Sequence, residues 1–271
     1  MNDRSRPLVP LLTTTLVLIF VLVVWGGVVR LSGSGLAIPD WPLAEGKLLP
    51  RAHPNVLIEY VHRAIAGVVG LLTLAVAIVL YRDPEWRRRL GGWMAAALVV
   101  LGLQIFIGGR VVLEELPVDR VVTHLLLAFL YFAILLHITL RVQDGPEGRP
   151  ATSDGRARFL AGWAGLSSLL VLGQVALGGW VSSSGAALAC TDFPTCHGTL
   201  FPKMEGLVGI HYAHRLGAYL VTLVILGLLL RSATIGLPMR ARWILRISGI
   251  LLGLQFALGV GNVLLMIPLP V

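Results

Sequence analysis

Residues 57–81 read LIEYVHRAIAGVVGLLTLAVAIVLY, an apolar stretch that carries a glutamate, a histidine and an arginine near its start. A helix of about 20 apolar residues spans the ~30 Å hydrocarbon core of a bilayer. Similar stretches lie at about 9–30, 91–112, 120–141, 158–180, 207–230 and 243–267. The sequence therefore predicts an all-α polytopic membrane protein with seven transmembrane helices.

The composition excludes a soluble protein. Of the 271 residues, 56% are hydrophobic and 13% are charged, whereas soluble domains contain roughly 25% charged residues. The mean hydropathy is +0.83. The net charge of +8 comes mostly from arginines in the short loops between apolar stretches, as the positive-inside rule describes. No nucleic-acid partner is expected.

The basic residues also predict the orientation in the membrane. When the seven stretches are threaded through a bilayer, the 22 lysines and arginines divide into 14 on one side and 8 on the other. The richer side is normally cytoplasmic, so the N-terminus is predicted to lie in the cytoplasm. The two longest connections, at about 31–56 and 181–206, then lie on the outer face. The arginine-rich composition and the absence of a transit peptide favour the inner membrane of a bacterial cell.

The chain contains an internal repeat. GGVVRLSG at 26–33 aligns with GGWVSSSG at 178–185, and the offset of 152 residues then continues without a gap. Further identities at this offset are Asp40 with Asp192, Tyr60 with Tyr212, His62 with His214 and Arg63 with Arg215; at an offset of 151, Gly102-Leu-Gln aligns with Gly253-Leu-Gln and Gly108 with Gly259. The repeat predicts two tandem four-helix bundles, residues 1–150 and 151–271, in parallel orientation about a pseudo-two-fold axis along the membrane normal.

The second bundle is short by one helix in this alignment. Its fourth helix would start near residue 271, and the counterpart of His124 would be position 275, beyond Val271. Seven transmembrane helices of an expected eight are therefore predicted.

Two histidines are the strongest candidate ligands. Ionisable side chains inside membrane helices are costly, and they face the bundle interior. His62 and His124 enter from the same face at matching depth, and two such imidazoles on facing helices can supply both axial ligands of a haem iron. The alternative is a pair of interhelical hydrogen-bonded histidines. His214 repeats His62 in the second half.

Glu59 is the candidate for proton handling. It precedes His62 by three residues and shares its helical face, so it could serve an iron or its substrate. The alternative is that the carboxylate only caps the N-terminus of its helix. His211 takes this place in the second half, while His53, His137 and His197 are expected to be structural or solvated.

Arginines gather near the outer ends of the helices. Haem carries two propionates, and arginine is suited to holding a carboxylate through two hydrogen bonds. The repeated His-Arg pair favours this role for Arg63 and Arg215. Interfacial snorkelling accounts for Arg30, Arg110 and Arg120.

The two cysteines, Cys190 and Cys196, lie in the second outer loop. Two thiols this close together in an oxidising compartment favour a disulfide. A metal site completed by His197 is the weaker alternative, because two cysteines and one histidine form an incomplete set.

Several segments resemble those of the haem A synthase family. They are GGVVRLSGSGLAIPDWP, EYVHR, GLQIFIGGRVV, VVTHLLLAF, the loop from Cys190 to Cys196, and HYAHR. The resemblance covers nearly the whole chain and keeps the order of the motifs. It implies eight helices in two four-helix halves, with a histidine pair in each half.

The resemblance also implies an activity. Family members oxidise a methyl group of haem O to the formyl group of haem A by successive hydroxylations, for cytochrome oxidase biogenesis, while a bound haem b moves electrons. By similarity, His62, His124 and Glu59 belong to the substrate-haem and catalytic half, and His214 matches an axial ligand of haem b. The cysteine pair matches an outer-loop disulfide; Ile38 and Ala44 occupy the corresponding positions in the first loop.

The resemblance implies haem O as substrate and, as partners, a haem O synthase, an electron donor and the lipid bilayer; a homo-oligomer is compatible with it. Two other functions fit the residues. A bis-histidine b-type cytochrome would only transfer electrons. A transporter or haem-handling chaperone would use the parallel repeats, although the histidines and arginines gather near one face rather than at the bilayer centre.

Overall fold

The computed structural model describes residues 7–44, 46–47, 51–145, 155–234, 237 and 239–266, apart from a few side chains. The helices are α1 (Leu8–Leu31), α2 (Pro54–Arg82), α3 (Pro84–Leu113), α4 (Val118–Asp144), α5 (Gly155–Ser183), α6 (Gly206–Ala233) and α7 (Met239–Leu264). All seven are long and apolar enough to cross a membrane. The all-α polytopic class is confirmed.

The main difference from prediction is the start of α3, which begins seven residues before the predicted position, at Pro84. Asp83 separates α2 from α3, and its carboxylate accepts hydrogen bonds from the amides of Glu85 and Trp86. A capping aspartate followed by proline at the first helical position is a strong helix start. The polar, arginine-rich segment after it therefore belongs to the helix and not to a loop.

The described helices form two compact units, α1–α4 and α5–α7. The predicted boundary between residues 150 and 151 lies outside the described residues. In the first unit, α1 packs against α2 and α4, and α3 packs against the same two helices. Consequently α2 and α4 are diagonally opposed across the bundle.

The packed core of the first unit occupies one end of the bundle. It is built from the start of α1, the end of α2, the start of α3 and the end of α4. Its fully buried side chains include Leu8, Leu12, Val76, Leu80, Trp86, Met94, Leu135 and Ile138. Packing contacts of this kind, and not exclusion of water, hold helices together in lipid.

The other end of this bundle, where α1 ends and α2 begins, is packed much less densely; we call it the histidine end. Between residues 20 and 31 of α1 no side chain is buried, and between residues 54 and 68 of α2 only Glu59 is. The contacts that interdigitating side chains would make are largely missing there. The packing that holds the first unit together is therefore concentrated away from the histidine end.

In the second unit, α6 packs against α5 and α7, and a short 3₁₀ helix, Ala186–Leu188, contacts α5 and α6. Its buried side chains include Val181, Cys190, Cys196, Tyr212, Arg215, Val221 and Leu228. The loop before α6 thus contributes buried residues to the interior of this unit together with the helices.

Candidate haem site

The histidine end brings together the two predicted ligands. His62 lies on α2 and His124 on α4, the diagonally opposed helices, and the two imidazoles are close enough for their charges to interact. The Nδ1 atom of each ring is buried and has no hydrogen-bond partner among the described residues. A buried polar atom normally has a partner, so these two nitrogens are exceptions within the described structure.

Each ring rests on a glycine of a neighbouring helix. A Cβ atom at Gly26 of α1 would lie 3.2 Å from His62 Cε1, and one at Gly108 of α3 would lie 2.8 Å from His124 Cε1. Any larger residue would push the ring away from its helix neighbour. The histidines are therefore positioned by backbone contact as well as by their own helices.

Gln104 adds an amide to the site. Its Nε2 atom lies 3.4 Å from Nε2 of His124, and its Oε1 atom is buried without a hydrogen-bond partner in the described structure. An amide placed in this way orients an imidazole from the neighbouring helix, as the outer shell of a metal site does.

A polar contact marks the boundary between the histidine end and the packed core. The hydroxyls of Thr73 on α2 and Tyr131 on α4 hydrogen-bond to each other across the bundle. Thr73 Oγ1 also donates to the carbonyl of Val69 at 2.7 Å. Both side chains are buried, so this pair limits how deeply a ligand can enter.

The residues at the histidine end fit a haem. A porphyrin supplies four equatorial nitrogens, so the protein needs to provide only axial ligands, and two histidines suffice. No group of three or more histidine, cysteine or carboxylate side chains able to hold a bare metal ion occurs in the described part of the chain. The two unpaired nitrogens and the loosely packed bundle end match a haem better than a metal bound by side chains alone.

Glu59 and Arg63 anchor the loop between α1 and α2. The Glu59 carboxylate is 3% exposed; it accepts a hydrogen bond of 2.8 Å from the amide of Ile38 and forms an ion pair of 2.5 Å with Arg63. Arg63 also donates to the carbonyls of Ile38, Asp40 and Leu43. With its two bonds to Glu59, Arg63 uses all five of its N–H donors. Binding a propionate would require at least one of these bonds to break.

This loop lies over the histidine end. The Trp41 ring packs on Gly109 of α3, 3.0 Å from the position of a Cβ there, and Leu116 from the turn before α4 packs on Gly35. Both glycines belong to sequence motifs noted above, but their partners could not be read from the sequence. The loop therefore closes the end of the bundle above His62 and His124.

The second unit repeats the arginine anchor. Arg215 donates to the carbonyls of Cys190, Asp192 and Thr195, the counterparts at an offset of 152 of those that Arg63 contacts. Its Nε atom is buried and has no partner among the described residues. In both units the arginine after the histidine holds the preceding loop.

Asp192 stabilises the turn in this second loop. Its carboxylate accepts hydrogen bonds from the Thr195 hydroxyl and from the amides of His197 and Gly198. These bonds, the one from Thr195 first, hold the pKa of Asp192 well below its usual range. Cys190 and Cys196 form a disulfide around the same turn, as predicted.

His214 has surroundings like those of His62. A Cβ at Gly178 of α5 would lie 3.2 Å from His214 Cε1, and Gln174 of the same helix lies 3.0 Å from His214 Nδ1. His211, in the place of Glu59, contacts the carbonyl of Ala186 at 2.8 Å through Nδ1. It anchors the second loop as Glu59 anchors the first.

The remaining candidates are away from the paired histidines or are bound to surface groups. His137 stacks on Trp93, with 4.6 Å between ring centroids. Arg110 and Arg120 both pair with Glu114 in the turn between α3 and α4.

Comparison with known proteins identifies the family. A family model described as cytochrome oxidase assembly protein (COX15-CtaA) matches residues 10–271. The chain belongs to this family. It is 30% identical to the Heme A synthase of Shewanella oneidensis over 96% of this chain and 88% of that protein. It is 32% identical to the Heme A synthase of Symbiobacterium thermophilum over 81% and 73% of the two chains. The Heme A synthase of Caulobacter vibrioides is 27% identical over 99% and 90%.

Sequence reasoning found the histidines of this COX15-CtaA member but missed part of their surroundings. Gln104 and Gln174 were not singled out, although Gln104 recurs as Gln255 in the repeat. The glycines were explained by helix packing alone. Their position relative to the histidines depends on how neighbouring helices are rotated, which the sequence pattern does not specify.

Proposed function

We propose that this protein is a haem A synthase, an oxidoreductase that converts a methyl group of haem O to the formyl group of haem A by successive hydroxylations. The observation that carries this is the pair of buried imidazoles, His62 and His124, across a loosely packed bundle end in a chain of the COX15-CtaA family. Haem O is the substrate of this half.

In this proposal, His62 and His124 hold the haem iron of the first unit. Iron supplies the means of activating an unreactive C–H bond. The helices would orient the macrocycle, and the described loop residues 32–44 would keep bulk water away from it. Thr73 and Tyr131 set the depth at which the macrocycle stops. An extremely apolar substrate would enter this bundle from the lipid.

For Glu59 we favour a positioning role over proton handling. Both of its carboxylate oxygens already have partners, and these are Arg63 and the amide of Ile38. The five occupied N–H donors of Arg63 favour loop positioning over propionate binding for this residue. The bonds of Arg215 to three loop carbonyls favour the same role in the second unit. Glu59 and Arg63 would thus act on the reaction by holding the loop over the histidine end.

For the second unit we propose a haem b that moves electrons, with His214 as one axial ligand. Gln174 and Gly178 would orient this ligand. The reaction also requires an electron donor and a haem O synthase to supply the substrate. We place the chain in the bacterial inner membrane with its N-terminus in the cytoplasm, because the arginine distribution supports this orientation.

A comparison of conservative variants tests the role of Glu59. In cells that make haem O, Glu59→Gln and Arg63→Lys are each expected to lower haem A formation about tenfold, because each weakens the same ion pair. Both variants should bind haem at the wild-type level. Asp119→Asn is the matched control, since Asp119 pairs with its neighbour Arg120 at the surface.

Loss of activity in Glu59→Gln alone, with Arg63→Lys fully active, would instead assign proton handling to Glu59. A wild-type protein that carries haem b and forms no haem A would replace the proposed function with that of an electron-transfer cytochrome.

A further inference from the structure

Three histidines of this chain share one contact. His62, His124 and His214 each place Cε1 against a glycine of a neighbouring helix, and these glycines are Gly26, Gly108 and Gly178. A Cβ atom added at Gly26, Gly108 or Gly178 would lie 3.2, 2.8 or 3.2 Å, respectively, from the Cε1 atom of the facing histidine. Contacts below about 3.4 Å are tighter than ordinary van der Waals separations between carbon atoms, so alanine does not fit at these positions without a shift.

Some glycines of the chain make close contacts of this kind with other side chains, as Gly109 does with Trp41, and other glycines make none. Gly27 follows Gly26 directly, and Gly102 lies on α3 with Gly108, but neither has an atom within 4 Å of its Cβ position. Gly259, the repeat counterpart of Gly108, also has none among the described residues. Helix packing through small residues would not by itself distinguish these glycines from Gly26 and Gly108.

Resting on the proposed function, we propose that Gly26 and Gly108 are positioning residues that set the separation of the two imidazoles in the first unit. Two axial ligands of one iron need their nitrogens at fixed places on opposite sides of the macrocycle. A methyl group at Gly108 pushes the His124 ring toward the centre of the bundle, and one at Gly26 does the same to His62. Gly178 serves His214 in the same way.

Haem binding by the full-length protein tests this directly. Gly108→Ala and Gly26→Ala are purified beside their controls Gly102→Ala and Gly27→Ala. Haem per chain, the reduced-minus-oxidised spectrum and the paramagnetic resonance of the ferric iron are measured. We expect Gly108→Ala to retain at least fivefold less haem in the first unit or to change its ligand signals, Gly26→Ala to show a smaller change, and both controls to match the wild type.

A double-mutant cycle keeps the test independent of haem. If the methyl group acts through the ring, Gly108→Ala should lower the thermal midpoint in detergent when His124 is present, and in the His124→Ala background it should leave the midpoint unchanged or raise it, because alanine favours helix. Alanine favours helix over glycine, so an unfolded variant is not expected from the backbone itself.

The proposal is overturned if a haem-loaded wild type and Gly108→Ala have the same haem signals, or if Gly108→Ala has the same effect with and without the His124 ring. A wild type without haem would contradict the proposed function instead, and the double-mutant cycle would still decide whether Gly108 positions His124.

Discussion

His62 and His124 have buried nitrogens without hydrogen-bond partners in the described part of the chain. Leaving such groups unpaired costs free energy, which supports the proposal that these two histidines bind a ligand. The sequence predicted these two residues, because an ionisable side chain in an apolar helix is conspicuous. It could not predict the contacts with Gly26, Gly108 and Gln104, which depend on helix rotation.

His124→Ala should remove the haem of the first unit. We expect haem A formation to fall at least a hundredfold and haem per chain to decrease, because one axial ligand is lost while the packed core stays intact. The measurement is quantitative haem extraction from the purified protein. His137→Ala is the control, since His137 stacks on Trp93 away from the site and should keep wild-type values. Equal haem contents in the two variants would exclude His124 as a ligand.

Removing the Thr73 hydroxyl and removing the Tyr131 hydroxyl are predicted to lower the stability by different amounts. Tyr131→Phe removes a hydroxyl and leaves Thr73 bonded to the carbonyl of Val69, so it should cost only about 0.5–1 kcal/mol. Thr73→Val keeps the side-chain shape but leaves the buried Tyr131 hydroxyl unpaired, which costs about 1–3 kcal/mol. Thermal midpoints in detergent should therefore fall more for Thr73→Val. A larger fall for Tyr131→Phe would contradict this account.

At the level of elements, the loops that precede α2 and α6 are held by the same kind of hydrogen bonds. An arginine one residue after a histidine donates to carbonyls 20 to 25 residues earlier in the chain. The repeat indicated that Arg63 and Arg215 matter, but bonds to backbone carbonyls impose no side-chain pattern on the loop. The sequence therefore could not distinguish loop anchoring from propionate binding.

Asp192 should make the second loop sensitive to acid. Its pKa is lowered in the folded protein by the bonds from Thr195, His197 and Gly198, so it stabilises the fold fully above its unfolded pKa of about 3.9. This contribution is lost as the pH falls through the lowered folded value.

Asp192→Asn should consequently lower the thermal midpoint at pH 7, and its difference from wild type should shrink as the pH falls below about 4. Asp119→Asn, at an exposed surface pair, should change little at any pH. A difference between Asp192→Asn and wild type that stays constant down to pH 3 would contradict this account.

At the level of the whole molecule, length and apolarity alone were enough to predict seven spanning helices, because few other structures satisfy the backbone in lipid. The predicted helix boundaries were less accurate where a capping residue determines the start of the helix. Asp83 and Pro84 start α3 within a polar, arginine-rich segment that hydropathy assigned to a loop. The uneven packing of the first bundle was also unpredicted, since an apolar side chain can face lipid or core equally well.

The uneven packing separates the part of the bundle that stabilises the fold from the histidine end, where we propose that the haem binds. The end containing Leu80, Trp86 and Leu135 is closely packed and holds the four helices in register. The histidine end carries less of this packing, so in the proposed function a large, flat substrate would bind there without loss of the fold.

The most direct test of the central claim is to identify the pigments of the purified full-length protein. The protein is produced in cells that make haem O, and its haems are extracted into acid acetone and identified by chromatography and mass. The account predicts haem b together with haem O, a hydroxylated product or haem A, with the haem O-derived pigments absent from His124→Ala. Haem b alone, unchanged in His124→Ala, would contradict it.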